Sequence, residues 1–221
     1  MRRSGSSSRW AGKRGRGAPF DWALPVWTLP VWTLLLVVAA GTAQAHTQAS
    51  DSGGGFVRGF LHPLSGLDHV LAMLAVGMWG AQLGAPAIWV LPVAFPLVMS
   101  LGGVAGILGV PMPPVEVGIV LSVIVLGAMI ALDRRPPLLV AGILVAFFAI
   151  FHGYAHGVEL PSQAGAVAYC AGFVLATGCI HLSGIGIGFV TELDHGSRIL
   201  RAGGTAISLA GLFLGWQLLV S

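Results

Sequence analysis

Apolar residues fill this chain in long runs, broken at intervals by short stretches of proline, glycine and charge. After a Ser/Gly stretch at 50–55, apolar segments fall at 60–82, 86–109, 115–132, 138–158, 163–188 and 199–219. Each is close to the roughly 20 residues that an α-helix needs to cross a bilayer. The breaks between them are Gly84-Ala85-Pro86, Pro111-Met112-Pro113-Pro114, Asp133-Arg134-Arg135-Pro136-Pro137, Leu160-Pro161-Ser162 and Thr191-Glu192-Leu193-Asp194-His195-Gly196, all rich in turn formers or charge. The pattern predicts an all-α, polytopic membrane protein with six transmembrane helices in one domain over 60–221. Small residues four apart at Gly80/Gly84, Gly102/Gly106 and Gly184/Gly188 predict close helix contacts. The fifth segment ends in Gly184-Ile185-Gly186-Ile187-Gly188, which predicts a bend before its end.

Residues 1–45 follow a different pattern: basic positions, then an apolar stretch from Leu24 to Ala40, then Ala43-Gln44-Ala45. That order is the signature of a cleavable signal peptide, and Pro25 and Pro30 make the stretch a poor spanning helix. An uncleaved first transmembrane helix is the alternative. Cleavage after Ala45 leaves His46 at the mature N-terminus, where an α-amine beside an imidazole chelates metal weakly, and 46–59 as a short periplasmic segment. An exported N-terminus places the second and fourth breaks in the periplasm. Arg134, Arg135, Arg198 and Arg201 then all face the cytoplasm and only Arg58 faces outward, in accord with the positive-inside rule. The expected location is a bacterial inner membrane.

Composition agrees. Apolar residues make up 56% of the chain and charged residues 9%, against about a quarter charged in a soluble domain. The net charge of +3 comes from the N-terminal tail, where Arg2, Arg3, Arg9, Lys13, Arg14 and Arg16 cluster. No groove-reading or base-stacking element accompanies it, so no nucleic-acid partner is expected. Cys170 and Cys179, if on one helix, stand about 13 Å apart and cannot form a bridge. No Walker-type sequence is present, so the chain carries no visible ATP motor.

Ionisable groups at membrane depth are expensive and point to function. Two clusters qualify. His62-Pro63-Leu64-Ser65-Gly66-Leu67-Asp68-His69 opens the first span; Pro63 suits a first helical turn, and one continuous helix places His62 and His69 on nearly the same face. Asp68 points toward a neighbouring helix or orients an imidazole, and Met73 offers a thioether one turn past His69. His152-Gly153-Tyr154-Ala155-His156-Gly157-Val158-Glu159 closes the fourth span, with His152, His156 and Glu159 on one stripe. Both clusters end at the outer side, where they converge on one site. Two imidazoles and a carboxylate suit a divalent transition metal far better than magnesium or calcium. His181 is either an exit site or a buried hydrogen-bonding histidine. Glu116 opens a helix, where an acid is favoured. Asp194 and His195 read as a solvated loop, and Trp79 and Trp89 as interfacial anchors.

The first cluster resembles the opening-helix pattern of the HupE/UreJ family of nickel and cobalt permeases, matched at His62, Pro63, Gly66, Asp68, His69, Ala72, Met73, Val76 and Gly77; Gly80 stands where the family has alanine. The fourth-helix pattern matches at Phe151, His152, Gly153, Gly157 and Glu159, with His156 as a further imidazole. The resemblance spans nearly all of 46–221. It implies an inner-membrane permease whose transported substrate is nickel or cobalt, needing no cofactor and supplying a downstream metallochaperone or metalloenzyme maturation system. The rivals are an intramembrane metal-binding protein, a metalloenzyme and a membrane cytochrome. His152 and His156 have zinc-protease spacing, but Gly153 stands where that motif needs its glutamate.

Overall fold

The computed structural model describes residues 54–159 and 166–220. The expected signal peptide, His46, most of the 46–59 segment and the break at Leu160-Pro161-Ser162 lie outside the described residues. Within them the chain is all helical: α1 Gly54–Ser65, α2 Leu67–Leu83, α3 Ala87–Ile107, α4 Val115–Ala131, α5 Leu138–Val158, α6 Ala166–Gly188 and α7 Gly196–Val220, with a single 3₁₀ turn at Phe189–Glu192. Pro114 and Pro137 stand immediately before α4 and α5, where a fixed φ and a missing N–H cost a helix nothing. α3, α5, α6 extended by its 3₁₀ turn, and α7 are each long and apolar enough to cross a membrane. The α1–α2 pair passes as a fifth crossing, while α4 is apolar but shorter. The chain is a multi-pass membrane protein.

The opening span differs from the expectation. It is broken at Gly66, and its halves meet at 81°. Pro63 lies near the end of α1, not in a first turn, and the helix restarts at Leu67 with Gly66 in an extended conformation before it. His62 and His69 therefore sit on different helices. At α6 the helix runs without a break through its glycines to Gly188.

α2 is the buried element. Ala72, Met73, Ala75, Val76, Met78 and Trp79 all lie in the core. The most extensive packing joins α3 to α5, α4 to α7, and α6 to both α1 and α2. Outward faces carry large side chains such as Leu97, Leu101, Ile143 and Phe213, as a protein solvated by lipid requires. Glycines set the closest approaches. Gly102 and Gly106 of α3 lie against the backbone of Ile150 and Tyr154, and Gly153 and Gly157 of α5 against that of Met99 and Gly103. Gly184 meets α2 at Leu74 and Gly77. Gly84 has another role. It ends α2 at φ 79° and ψ −166° with open space around it, a positive-φ conformation that glycine adopts without strain.

At the end of α2 distant from His69, Trp79 Nε1 donates to the carbonyl of Arg134 at 3.0 Å. Gln82 Nε2 donates to the Ile130 carbonyl at 3.2 Å and to Asp133 Oδ1 at 2.9 Å. Trp79 is thus wholly buried and ties helices together. It is not an interfacial anchor; Trp89, 60% exposed, has the position for one. Arg135 pairs with Asp133, and Arg201 Nε donates to the Ala131 carbonyl at the same end.

Candidate metal site

Six side chains singled out by the sequence come together where α1 ends, α2 begins and α5 ends. His62 Nε2 lies 2.9 Å from His156 Nδ1 and 3.2 Å from Glu159 Oε2. One ligand atom from each of these three residues falls within 4.8 Å of the others. His62 is delivered by α1; His156 and Glu159 come from the last turn and C-cap of α5. The break at Gly66 makes this possible. A straight opening helix would carry His62 up the axis of α2, whereas the sharp bend swings it over the end of α5.

The imidazoles continue inward in ring contact. Centroids lie 4.9 Å apart for His62 and His156, 4.5 Å for His156 and His69, and 4.7 Å for His69 and His152. His69 Nδ1 is 2.8 Å from Asp68 Oδ1, which also accepts the His69 backbone N–H at 2.8 Å. The carboxylate thus curls back onto its neighbour rather than reaching another helix. It fixes the His69 tautomer, with the proton on Nδ1 and an open lone pair on Nε2. Gly66 leaves the room for this, since a Cβ there would stand 2.8 Å from Asp68 Oδ1 and 3.0 Å from His69 Nδ1.

His152 is fixed in the mirror sense by a residue the sequence reading missed. Ser122 of α4 is fully buried, and its hydroxyl donates to the Ile119 carbonyl at 2.6 Å. With its proton so used, the hydroxyl accepts from His152 Nε2, 2.8 Å away, leaving His152 Nδ1 bare. Three ring nitrogens in this cluster are buried without a hydrogen-bond partner among the described residues: His69 Nε2, His152 Nδ1 and His156 Nε2. Buried polar atoms are rarely left so. On three rings in mutual contact they form a nest of open donor positions. Tyr169 and Phe173 of α6 close the side, with ring centroids 5.8 and 6.2 Å from His62. An apolar cavity of about 280 Å³ lies between α3, α5 and α6, with His156 on its wall beside Met99 and Phe173.

Met73, one turn past His69 on α2, is buried in the core. His181 is buried on α6. Glu116 occupies the first turn of α4, and Asp194 and His195 are exposed in the turn before α7. Cys170 and Cys179 are both free and exposed.

The family model described as HupE / UreJ protein matches residues 34–214. Protein HupE of Rhizobium leguminosarum bv. viciae is 44% identical over 170 residues, covering 77% of this chain and 89% of that protein. No solved structure matches the chain.

Proposed function

The chain belongs to the HupE/UreJ family, and from that premise we propose that it is an inner-membrane permease that takes up nickel or cobalt. The observation that carries this reading is the convergence of His62, His156 and Glu159, from α1 and α5, within 4.8 Å. A hydrated dication does not cross lipid, so its water ligands must be exchanged for protein ones. Glu159, exposed at the rim, offers charge to an arriving ion; His62 and His156 offer borderline nitrogen donors suited to nickel and cobalt. The nest of His69, His152 and His156 is the next station. His156 belongs to both, with Nδ1 toward His62 and Nε2 open, and so passes the ion inward without releasing it to lipid. Asp68 and Ser122 hold the rings that receive it. Few protein ligands at each station keep binding weak enough for onward movement.

The same reading gives the chain six crossings behind a cleaved signal peptide, with α4 as the short one and a periplasmic mature N-terminus. The metal cluster lies near the start of α2, whereas Arg134, Arg135 and Arg201 lie at its other end, about 20 Å along the axis. That separation supports an outward-facing site. Uptake of radiolabelled nickel by cells, with cobalt as competitor, tests the proposal. His69→Ala and Asp68→Ala are expected to abolish accumulation while the protein still reaches the membrane. Wild-type uptake by both variants would remove the path.

A further inference from the structure

His181 of α6 is a further imidazole inside the helix bundle, with its ring edge-on to that of Phe95. It is 2% exposed, and neither ring nitrogen has a hydrogen-bond partner among the described residues. A histidine that serves only as filler leaves two polar atoms desolvated without compensation; a leucine or phenylalanine would fill the space without that penalty. One turn earlier on α6, Thr177 is fully buried, and its hydroxyl is also without a partner among the described residues. Positions i and i+4 of a helix share a face, so two unsatisfied groups lie one above the other.

That face of α6 also carries Tyr169 and Phe173, the residues that meet His62 and His156. The four positions 169, 173, 177 and 181 form one i, i+4 ridge that winds about 120° around α6 between Tyr169 and His181. His181 lies about 18 Å below Tyr169 on this ridge, too far for one ion to touch both ends. Phe95 of α3, fully buried, is in contact with both levels. Its ring centroid is 5.4 Å from that of His152 and 5.4 Å from that of His181. One aromatic ring thus links an imidazole of the outer cluster with His181.

We propose that His181 and Thr177 form an inner binding station for the divalent transition ion, linked to the outer site through the side chain of Phe95. The proposal rests on the permease reading above and adds a second, separate place for the same cargo. The two stations differ in charge. Asp68 and Glu159 supply carboxylates outside, while His181 and Thr177 are an imidazole and a hydroxyl. The inner station therefore binds more weakly, which is what an ion about to leave requires.

Uptake of radiolabelled nickel by cells and cobalt(II) titration of the purified, detergent-solubilised protein, followed by visible absorption, test the proposal together. His181→Gln and Thr177→Val roughly preserve volume and remove the imidazole nitrogens and the hydroxyl respectively, the amide oxygen of Gln being a poorer ligand than imidazole for this class of ion. For Thr177→Val a purely structural role predicts no loss, because a methyl replaces an already unsatisfied hydroxyl. Each variant is expected to reduce uptake by about 10-fold or more, the scale at which groups supporting a metal site act. His181→Gln is further expected to lose the weaker class of cobalt(II) binding while retaining the tighter one. Wild-type uptake in either variant overturns the inner station. His156→Ala in the same assays separates the two levels of inference: if it alone loses uptake, the outer site stands and only this proposal falls. If it too transports like wild type, the permease reading itself has failed.

Discussion

At the scale of single residues, the site depends on which nitrogen of each imidazole is left open. Asp68 and Ser122 decide this for His69 and His152 from opposite sides of the ring. Removal of such an orienting partner typically costs about 10- to 100-fold in metal affinity. Ser122→Ala is therefore expected to raise the nickel concentration needed for half-maximal uptake by about 10-fold, with little change in membrane abundance; an unchanged concentration dependence counts against the orienting role. A second expectation follows from the donor type. Imidazoles bind metal only when unprotonated, and their ordinary pKa lies near 6.5. Nickel uptake should fall once the medium is acid enough to protonate the site's own ring nitrogens, which a pH series of initial rates measures. Residues of this kind were unequally legible in the sequence. His62, Asp68, His69, His152, His156 and Glu159 stood out because imidazoles and carboxylates are costly inside apolar helices. Ser122 and Thr177 did not, because a hydroxyl in a membrane helix ordinarily bonds to its own backbone. Phe95 gave no signal at all, since a core phenylalanine and a lipid-facing one read alike.

At the scale of elements, glycine governs how close the helices that carry the site can approach. On α5, Gly153 lies against the backbone of α3 at Met99, whereas Gly142 has nothing within 4 Å of where a Cβ would stand. Gly153→Ala is expected to push α5 away from α3 and to destabilise the fold by about 1–3 kcal/mol. Gly142→Ala on the same helix should instead stabilise by about 0.5–1 kcal/mol through helix propensity. Thermal unfolding in detergent compares them, and equal effects from the two substitutions would contradict the packing described. Segment boundaries for α3, α4 and α5 fell within two residues of the observed ends, because Gly, Pro and charge mark the gaps. The opening span was misread for a specific reason. The segment stays apolar enough on both sides of Gly66 to be drawn as one span, and Pro63 is compatible both with a helix start and with a helix about to end. The bend comes from the need to seat His62 over α5 and to fit Asp68 against His69, which are tertiary demands that local pattern does not carry.

At the scale of the whole molecule, chemistry and charge are sorted to opposite ends of α2. Metal-type ligands gather near its start, while Arg134, Arg135 and Arg201 gather with Trp79 and Gln82 near its finish. If the arginine end faces the cytoplasm, a fluorescent reporter fused after Arg135 is expected to light up, and a periplasmic phosphatase fused after Glu159 to be active. The reverse pattern would invert the orientation. The sequence carried this polarity because arginine position is set by membrane insertion and needs no tertiary knowledge. It did not carry the pairing of α1 with α6, which depends on side chains meeting across most of the chain. The contact between His62 and His156 joins positions 94 residues apart, and α1 is tied to α2 through one non-helical residue. An ion held by His62, His156 and Glu159 would therefore act as a removable staple, clamping the first described helix to the middle of the fold only while cargo is aboard. The loaded protein should melt later than the empty one by an increment that grows with free nickel, and severing the staple with His62→Ala should erase most of that increment.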